Sequence, residues 1–196
     1  YNENIEMLKE SGAKIHYFSP LKDDRLPDEC DGIYLAGGYP EVFAKELSSN
    51  ISLMEDIRKK ANEDIPIYAE CGGYMYLHET ITNLENETYK MVGIFQGGAY
   101  MKKRLQNFGY VSVRADNDTP IFNKDTEFRA HEFHRSVVDR TVEPTYITGS
   151  KKDKRWHCGK LYKNVYGMYP HIYFPAEPRI PENFLHVALT VKNKRR

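Results

Sequence analysis

The chain has 196 residues, of which 40% are apolar, so it is long enough to bury one hydrophobic core. Its 28 basic residues balance its 28 acidic residues, so it has no overall positive field to attract nucleic acid or an anionic membrane surface. Three cysteines form no disulfide framework. Because the sequence shows no signal-like or long apolar segment, we expect a cytoplasmic protein that binds neither nucleic acid nor membranes.

The first half of the chain alternates between predicted helices and predicted strands. Apolar residues recurring every three or four positions predict helices at 4–12, at 52–64 and from residue 74. Short apolar runs predict strands at 13–19, 31–38 and 65–69. This alternation is typical of an α/β fold with an open, mostly parallel sheet flanked by helices.

The second half of the chain differs in character. From 91 to 174 it is rich in aromatic and β-branched runs separated by turn residues. These runs predict additional antiparallel strands around the core sheet. The sequence contains no repeat and no internal boundary, so we expect one domain over residues 1–196.

The stretch "YAECGGYMYL" places Cys71 between a predicted strand and two glycines. Small residues stand two positions before and two after it, at Ala69 and Gly73, as a sharp turn that lifts a nucleophile above a sheet requires. The following helix favours the thiolate, and backbone N–H groups of the turn suit a developing oxyanion. The alternative is that Cys71 fills the end of the strand. Cys30 and Cys158 lie in polar surroundings and are interpreted as incidental.

A cysteine nucleophile needs a base, and seven histidines are candidates. Four of them are poor candidates. His16 and His186 lie in strand-like runs and are interpreted as structural. His78, in the second turn of the predicted helix after Cys71, would point away from the thiol, and His157 lies in a charged loop. Spacing alone does not decide between the others, His131, His134 and His171. His171 has the better setting, because its apolar and aromatic neighbours indicate a buried sheet edge.

A zinc site is the competing interpretation of the histidines. His131 and His134, spaced i and i+3, would need His157 or Cys158 as further ligands. No second pair has the spacing of metal ligands, so we expect no metal site.

Five motifs occur in an order typical of one family. They are "LAGGYPE" at 35–41, "YAECGGYMYL" at 68–77, "KRLQNFGY" at 103–110, "HEFHRS" at 131–136 and "YPHIYF" at 169–174. Together they resemble the C-terminal glutaminase domain of the cobyrinic acid a,c-diamide synthase family, a class I-type glutamine amidotransferase domain with a flavodoxin-like fold. The resemblance covers nearly the whole chain.

The resemblance implies a chemistry. In that family a cysteine attacks the side-chain amide of glutamine, forms a thioester and releases ammonia, which an N-terminal ATP-using synthetase domain consumes. The positions of the nucleophile and of the histidine match Cys71 and His171. The oxyanion and glutamine site would be formed by Gly37, Gly38, Gly72 and Tyr39, with Glu41 either shaping that site or beginning the next helix.

The sequence also departs from the pattern of class I enzymes. They carry a glutamate two residues after the histidine, where this chain has Tyr173. His171 is therefore predicted to lack an obvious orienting carboxylate, since Glu177 is six residues away. Five further residues are assigned either a role toward the substrate or a domain interface, or a place on a solvated face: His131, Glu132, His134, Arg104 and Gln106.

The expected reaction of the parent enzyme is amidation of the a and c acetate side chains of cobyrinic acid. Hydrogenobyrinic acid and nickel sirohydrochlorin are alternative acceptors, and a noncatalytic binding domain or a cysteine hydrolase are alternative functions. The sequence has no G-x-x-x-x-G-K-[ST] phosphate loop. We therefore expect no cofactor in this domain and ATP with magnesium on an upstream domain. By resemblance, the domain would also lack its first strand, and a homodimer is possible.

Overall fold

The computed structural model describes residues 1–119, 121–139, 147–151, 154–157 and 159–195. The helices are α1 (Asn2–Glu10), α2 (Ala44–Ser49), α3 (Ile51–Asn62), α4 (Gly72–Tyr76) and α5 (Arg179–Lys194), with a 3-10 turn at Phe174–Ala176. The first strands are β1 (Ile33–Leu35), β2 (Ile67–Glu70), β3 (His78–Thr82), β4 (Thr88–Lys90), β5 (Phe95–Met101) and β6 (Asn107–Ala115). The later strands are β7 (Glu127–His134), β8 (Ser136–Val138), β9 (Ile147–Lys151), β10 (Lys154–His157), β11 (Gly159–Tyr162), β12 (Val165–Met168) and β13 (His171–Ile172).

The central sheet has the strand order β1-β2-β12-β11. The first three strands are parallel, and β11 pairs antiparallel with β12. In the register of β1 and β2, Leu35 pairs with Ala69. The carboxyl ends of these two strands therefore meet at one edge, which is where open α/β sheets build their sites. The loop after Leu35 and the residues after Glu70 face each other there.

The two faces of this sheet carry different cores. Ile67 and Ala69 of β2 pack in one apolar cluster with Leu53 and Ile57 of α3. Tyr68, which points to the opposite face, packs in a second cluster. That cluster combines residues of the helices at the chain ends with residues of the long strands: Leu8, Ile180, Phe184, Val111, Val113, Phe128 and Ala130. The strand alternation thus separates two buried layers.

The predicted extra strands of the second half form two further sheets. One has the order β10-β9-β6-β7-β13 and the other the order β4-β3-β5-β8. Strands β6 and β7 pair antiparallel from Asn107 opposite His134 to Arg114 opposite Glu127. Short β13 joins the edge of β7, with His171 opposite His131. The expected α/β fold with added antiparallel strands is therefore confirmed.

The predicted strand at 13–19 is wrong, because these residues form no regular strand. A strand requires a hydrogen-bonded neighbour, and β1, which would be the nearest one, lies across an open groove from them. The groove has a volume of about 480 Å³ and is lined by residues of the 13–18 segment, of β1 and of α5. The apolar composition of residues 13–19 predicts an extended conformation. It does not predict whether a partner strand lies beside them.

Three predicted positions of histidines are also wrong. His157 was expected in a charged loop but is the last residue of β10, because it pairs with Thr148 of β9. Helix α4 ends at Tyr76, so His78 is not in a helix; it is the first residue of β3 and is fully buried. His186 lies in α5, a helix that the sequence analysis did not predict. Within the described ranges, no helix has the length and hydropathy that a membrane span requires.

Candidate active site

Cys71 stands at the turn that joins β2 to α4, in a backbone conformation that L-residues rarely adopt, with φ 47° and ψ −104°. The surrounding structure holds it there. The Cys71 N–H donates to the carbonyl of Met168 at 2.8 Å, and its carbonyl accepts from the N–H of Met75 at 3.0 Å. A side chain at Gly73 would collide with the carbonyl of Leu35. The turn is therefore as tight as the small residues predicted.

The glycine loop after β1 lies directly against this turn. A β-carbon on Gly72 would lie 2.6 Å from the carbonyl oxygen and 2.7 Å from the nitrogen of Gly38. A β-carbon on Gly37 would lie 2.7 Å from Cε1 of His171. The structure thus gathers the backbones of Gly37, Gly38 and Gly72 beside Cys71, with no side chain between them. Bare N–H groups in such a corner suit a developing oxyanion.

His171 reaches the same corner from β13. Its ring contacts Glu70, and the side chain of Cys71 also acts on its pKa. Burial by itself lowers the pKa of His171, but the contacts with Cys71 and Glu70 outweigh burial and raise the pKa to about 10. His171 is therefore an imidazolium at neutral pH. Since α4 has only five residues and aligns few peptide dipoles, this imidazolium is the main positive charge beside the thiol.

Glu70 is a residue of the site that the sequence analysis missed. It is the last residue of β2, directly before Cys71, and is 2% exposed. One of its carboxylate oxygens, Oε2, lies 3.6 Å from Nδ1 of His171. The signal was present in the sequence, because an acidic residue in the otherwise apolar run "IPIYAE" has no place in a core unless it is bonded.

Asn4 of α1 holds the strand that carries His171. Its side-chain amide donates to the carbonyl of Ile172 at 2.8 Å, and its side-chain oxygen accepts from the N–H of Phe174 at 2.8 Å. Asn4 has no exposed surface. A buried side chain that satisfies two backbone groups fixes the path of the chain between them. Helix α1 therefore positions the two-residue strand β13.

The motif "HEFHRS" is divided between two faces of β7. Glu132 and His134 point inward, and Oε1 of Glu132 lies 3.1 Å from Nε2 of His134. The ring of His134 is stacked on Tyr169, with centroids 3.7 Å apart. His131 points to the other face, where it is opposite His171 in the strand register. Only His131 of these three therefore presents its ring toward the outer face beside the site.

This division also bears on the zinc interpretation. His131 and His134, at odd and even positions of one strand, lie on opposite faces and cannot share an ion. Within the described part of the chain, no group of three or more histidine, cysteine, aspartate or glutamate side chains is gathered for a metal. Of the two further ligands considered, His157 is the last residue of β10 and Cys158 lies outside the described residues.

The remaining residues that the sequence predicts for the site lie in loops and turns. Tyr39 follows the glycine loop and is 71% exposed. Glu41 lies in the turn before α2, where burial raises the pKa of its carboxyl group. Arg104 and Gln106 are exposed in the loop between β5 and β6, and the Gln106 N–H donates to the carbonyl of His134 at 3.0 Å. They lie near the end of β7 without contacting Cys71 in any described bond.

Two solved structures share this fold. A crystal structure described as a glutamine amidotransferase matches with a TM-score of 0.69 and 17% identity, covering 95% of this chain and 93% of the other. The structure of PurLQS from Thermotoga maritima matches with a TM-score of 0.65 and 19% identity, covering 96% of this chain and 91% of the other. At these identities the likeness shows the fold, which is that of class I glutamine amidotransferases.

Sequence relatives are much closer. Cobyrinate a,c-diamide synthase of Fusobacterium nucleatum is 46% identical over 178 residues, covering 89% of this chain and 38% of the relative. The enzyme of the same name from Caldanaerobacter subterraneus is 42% identical over 174 residues, covering 88% and 38%. That from Picrophilus torridus is 41% identical over 191 residues, covering 97% and 41%. The chain thus spans about two fifths of the length of these relatives.

The family comparison agrees with the relatives and with the expected resemblance. The CobB/CobQ-like glutamine amidotransferase domain matches residues 1–178, which include the glycine loop, Cys71 and His171. The match extends over most of the chain and over the elements that build the corner described above. The chain belongs to the family of CobB/CobQ-like glutamine amidotransferase domains.

Proposed function

We propose that this domain hydrolyses glutamine through a thioester on Cys71 and supplies the ammonia for amidation of the a and c acetate side chains of cobyrinic acid. The reaction class is that of an ATP-dependent carbon-nitrogen ligase. The acceptor is inferred from the names of the sequence relatives. The observation that carries the glutaminase proposal is the convergence of Cys71, His171 and the bare backbones of Gly37, Gly38 and Gly72 at one corner of the domain.

In the first half of the proposed reaction, the Cys71 thiolate attacks the side-chain carbonyl carbon of glutamine. The carbonyl oxygen becomes an oxyanion that the N–H groups of Gly38 and Gly72 stabilise. As the carbon-nitrogen bond breaks, the His171 imidazolium donates its proton to the leaving nitrogen, which departs as ammonia. A glutamyl thioester and a neutral imidazole are left.

In the second half, His171 acts in the opposite direction. The neutral imidazole takes a proton from a water molecule as its oxygen attacks the thioester carbon. The carbon-sulfur bond then breaks, which releases glutamate and restores the thiolate beside an imidazolium. The sum is glutamine plus water giving glutamate plus ammonia, with no net change on the protein.

Ammonia must reach an activated acceptor, and we place that chemistry on another domain. The sequence has no phosphate loop, so no ATP or magnesium step is assigned to the residues of this chain. The proposal places ATP and magnesium in the part of the relatives that the chain does not span. The predicted strand upstream of α1 stays a prediction.

The surface beside Cys71 suits the docking of that domain. Cys71 Sγ lies 3.8 Å from the carbonyl oxygen of Phe133, and on the outer face of the β6–β7 pair three aromatic side chains are exposed: Phe108 at 59%, Tyr110 at 76% and Phe133 at 44%. Exposed aromatic clusters mark interfaces. Covering this patch would keep ammonia from escaping into water on its way to the acceptor.

The test of the proposed function uses Cys71→Ser in the complete ligase. The variant is expected to lose glutamine hydrolysis and glutamine-dependent amidation while free ammonia still supports amidation of cobyrinic acid. A diazo-ketone analogue of glutamine is expected to label Cys71 of the wild type, located by peptide mass. The matched control is Cys30→Ser, because Cys30 is the other free cysteine within the described ranges.

Three results would contradict the proposal. An unlabelled, inactive thiol in a folded wild type would favour a noncatalytic domain. Cleavage of peptides or esters without release of ammonia from glutamine would favour a hydrolase. Amidation of hydrogenobyrinic acid or nickel sirohydrochlorin in place of cobyrinic acid would change the acceptor and leave the glutaminase chemistry intact.

A further inference from the structure

The carboxylate of Glu70 faces the ring of His171 from the interior of the domain. Oε2 of Glu70 and Nδ1 of His171 are 3.6 Å apart, which is an ion-pair contact rather than a hydrogen bond. Because Nδ1 faces Glu70, Nε2 is the ring nitrogen available to the thiol. We propose that Glu70 is the positioning residue of this site, which orients the His171 ring toward Cys71 and balances its positive charge. This inference rests on the glutaminase function proposed above.

Three donors fix the Glu70 carboxylate in place. Oε2 accepts from the hydroxyl of Tyr34 at 2.9 Å, and Oε1 accepts from the hydroxyl of Tyr68 at 2.7 Å and from the N–H of Ile172 at 2.9 Å. Burial first, and the charge of Glu70 second, raise the pKa of both tyrosines, so both stay protonated donors.

The same carboxylate also fixes the backbone of the strand that carries His171. The N–H of Ile172, the residue next to His171, donates to Oε1 of Glu70. Asn4 holds the opposite edge of Ile172 through its carbonyl. Glu70 therefore controls both the position of β13 and the charge beside the imidazole ring, which a residue serving stability alone would not do.

The position at which class I enzymes carry their glutamate does not offer another carboxylate to orient His171. Tyr173 is 40% exposed, and its ring packs edge-on against Tyr1, with centroids 5.5 Å apart. The carboxylate of Glu177 pairs with Arg179 at 2.7 Å. Among the ion pairs of the described residues, the one that includes His171 is the pair with Glu70. The negative charge thus comes from β2, a strand of the central sheet, instead of from β13 itself.

The charge on His171 depends on its immediate surroundings. Titratable groups face the ring or its carboxylate partner from the segment before α1, from β1, from β2 and the turn after it, and from β7. They are Tyr1, Tyr34, Tyr68, Glu70, Cys71 and His131. Two of these, Cys71 and Glu70, act to keep the imidazole protonated. Removing the charge of Glu70 therefore leaves the interaction with Cys71 as the one that still raises the pKa of His171.

The test compares Glu70→Gln with Tyr68→Phe in the complete enzyme. Glutamine keeps the shape of the side chain and one acceptor oxygen, which can serve Tyr68 and the N–H of Ile172, while its NH2 group faces the Tyr34 hydroxyl and the charge is removed. We expect kcat for glutamine hydrolysis to fall about tenfold or more, with a much smaller change in KM. The basic limb of the pH profile and the NMR titration of the His171 ring are expected to move to lower pH. Tyr68→Phe loses one bond of the same network but keeps the charge, so its pH profile should stay in place.

The outcomes separate this inference from the proposed function. If the wild type is labelled at Cys71 and hydrolyses glutamine, but Glu70→Gln has the same kcat and the same His171 titration, the role of Glu70 is refuted and the glutaminase function stands. If the wild type is inactive, the titration of His171 still decides whether Glu70 controls its charge. Should Glu70→Gln fail to fold, Glu70→Asp keeps the charge and is expected to keep the pH profile at a reduced rate; a shifted profile would contradict the inference.

Discussion

Gly72 lies with its α-carbon directed at the backbone of Gly38, so that a β-carbon there would be 2.6 Å from the Gly38 carbonyl oxygen. Real β-carbons do not approach backbone atoms so closely, and a backbone cannot move away as a flexible side chain does. This close contact between Gly72 and Gly38 packs the loop after β1 against the turn that carries Cys71. It explains why a glycine follows the cysteine.

Gly72→Ala is therefore expected to push the 37–38 loop away from Cys71 and remove an oxyanion donor. Glutamine hydrolysis should fall by about 10²–10³ in kcat, the range measured when one such donor is lost. The control is Gly32→Ala, where the added methyl group meets the ring of Phe184 at 3.2 Å, remote from the site. The comparison is made on the steady-state rates of glutamine hydrolysis by the two folded variants. Equal activity of both would show that the Gly72 backbone takes no part.

His171→Ala is expected to slow formation of the thioester by roughly a hundredfold or more, because the proton of the leaving ammonia loses its donor. Single-turnover measurements of ammonia release report this step directly. His16→Ala, at an exposed position away from the site, should match the wild type. A small effect at His171 together with a large one at His134 would assign the proton transfer to His134 instead.

The charge of His171 also predicts how stability depends on pH. Its pKa in the folded protein is raised from 6.5 to about 10. A raised pKa means that the folded state binds the proton more tightly, so the stabilisation is fully present below about pH 6.5 and is lost as the pH rises toward 10. Urea unfolding at a series of pH values should show a steeper loss over this window for the wild type than for His171→Gln. Parallel curves would contradict the ion-pair description.

Asn4→Ala is expected to lower the free energy of unfolding by about 1–3 kcal/mol for each backbone group left without a partner. The groups concerned are the carbonyl of Ile172 and the N–H of Phe174. Asn2→Ala, in the exposed first turn of the same helix, is the control for helix propensity. Because β13 would lose its anchor, kcat should fall together with stability. Unchanged denaturation midpoints for Asn4→Ala would exclude the anchoring role.

Several features of the protein were open to prediction because they are local. The spacing of apolar residues predicts α1 and α3, and the short apolar runs predict β1 and β2. The small residues around Cys71 predict its turn, because steric crowding acts between near neighbours in the chain. The order of five motifs identifies the family.

Other features depend on contacts between residues distant in the sequence. Residues 13–19 have the composition of a strand but no partner beside them, and a strand exists only as part of a ladder. The prediction that His78 lies in a helix failed because α4 ends after little more than one turn, and β3 begins at His78 itself. Glu132 and His134 were considered as surface residues, yet the register of β7 turns them inward.

The residues themselves determined that this chain folds as an α/β domain with a thiol at a strand-to-helix turn, because turn sterics and apolar periodicity act over a few positions. Only the tertiary structure decided that Glu70 of β2, rather than a residue near His171 in the sequence, faces the imidazole. The physical reason is that β2 and β13 are separated by about a hundred residues along the chain, and their proximity is set by how the sheets pack.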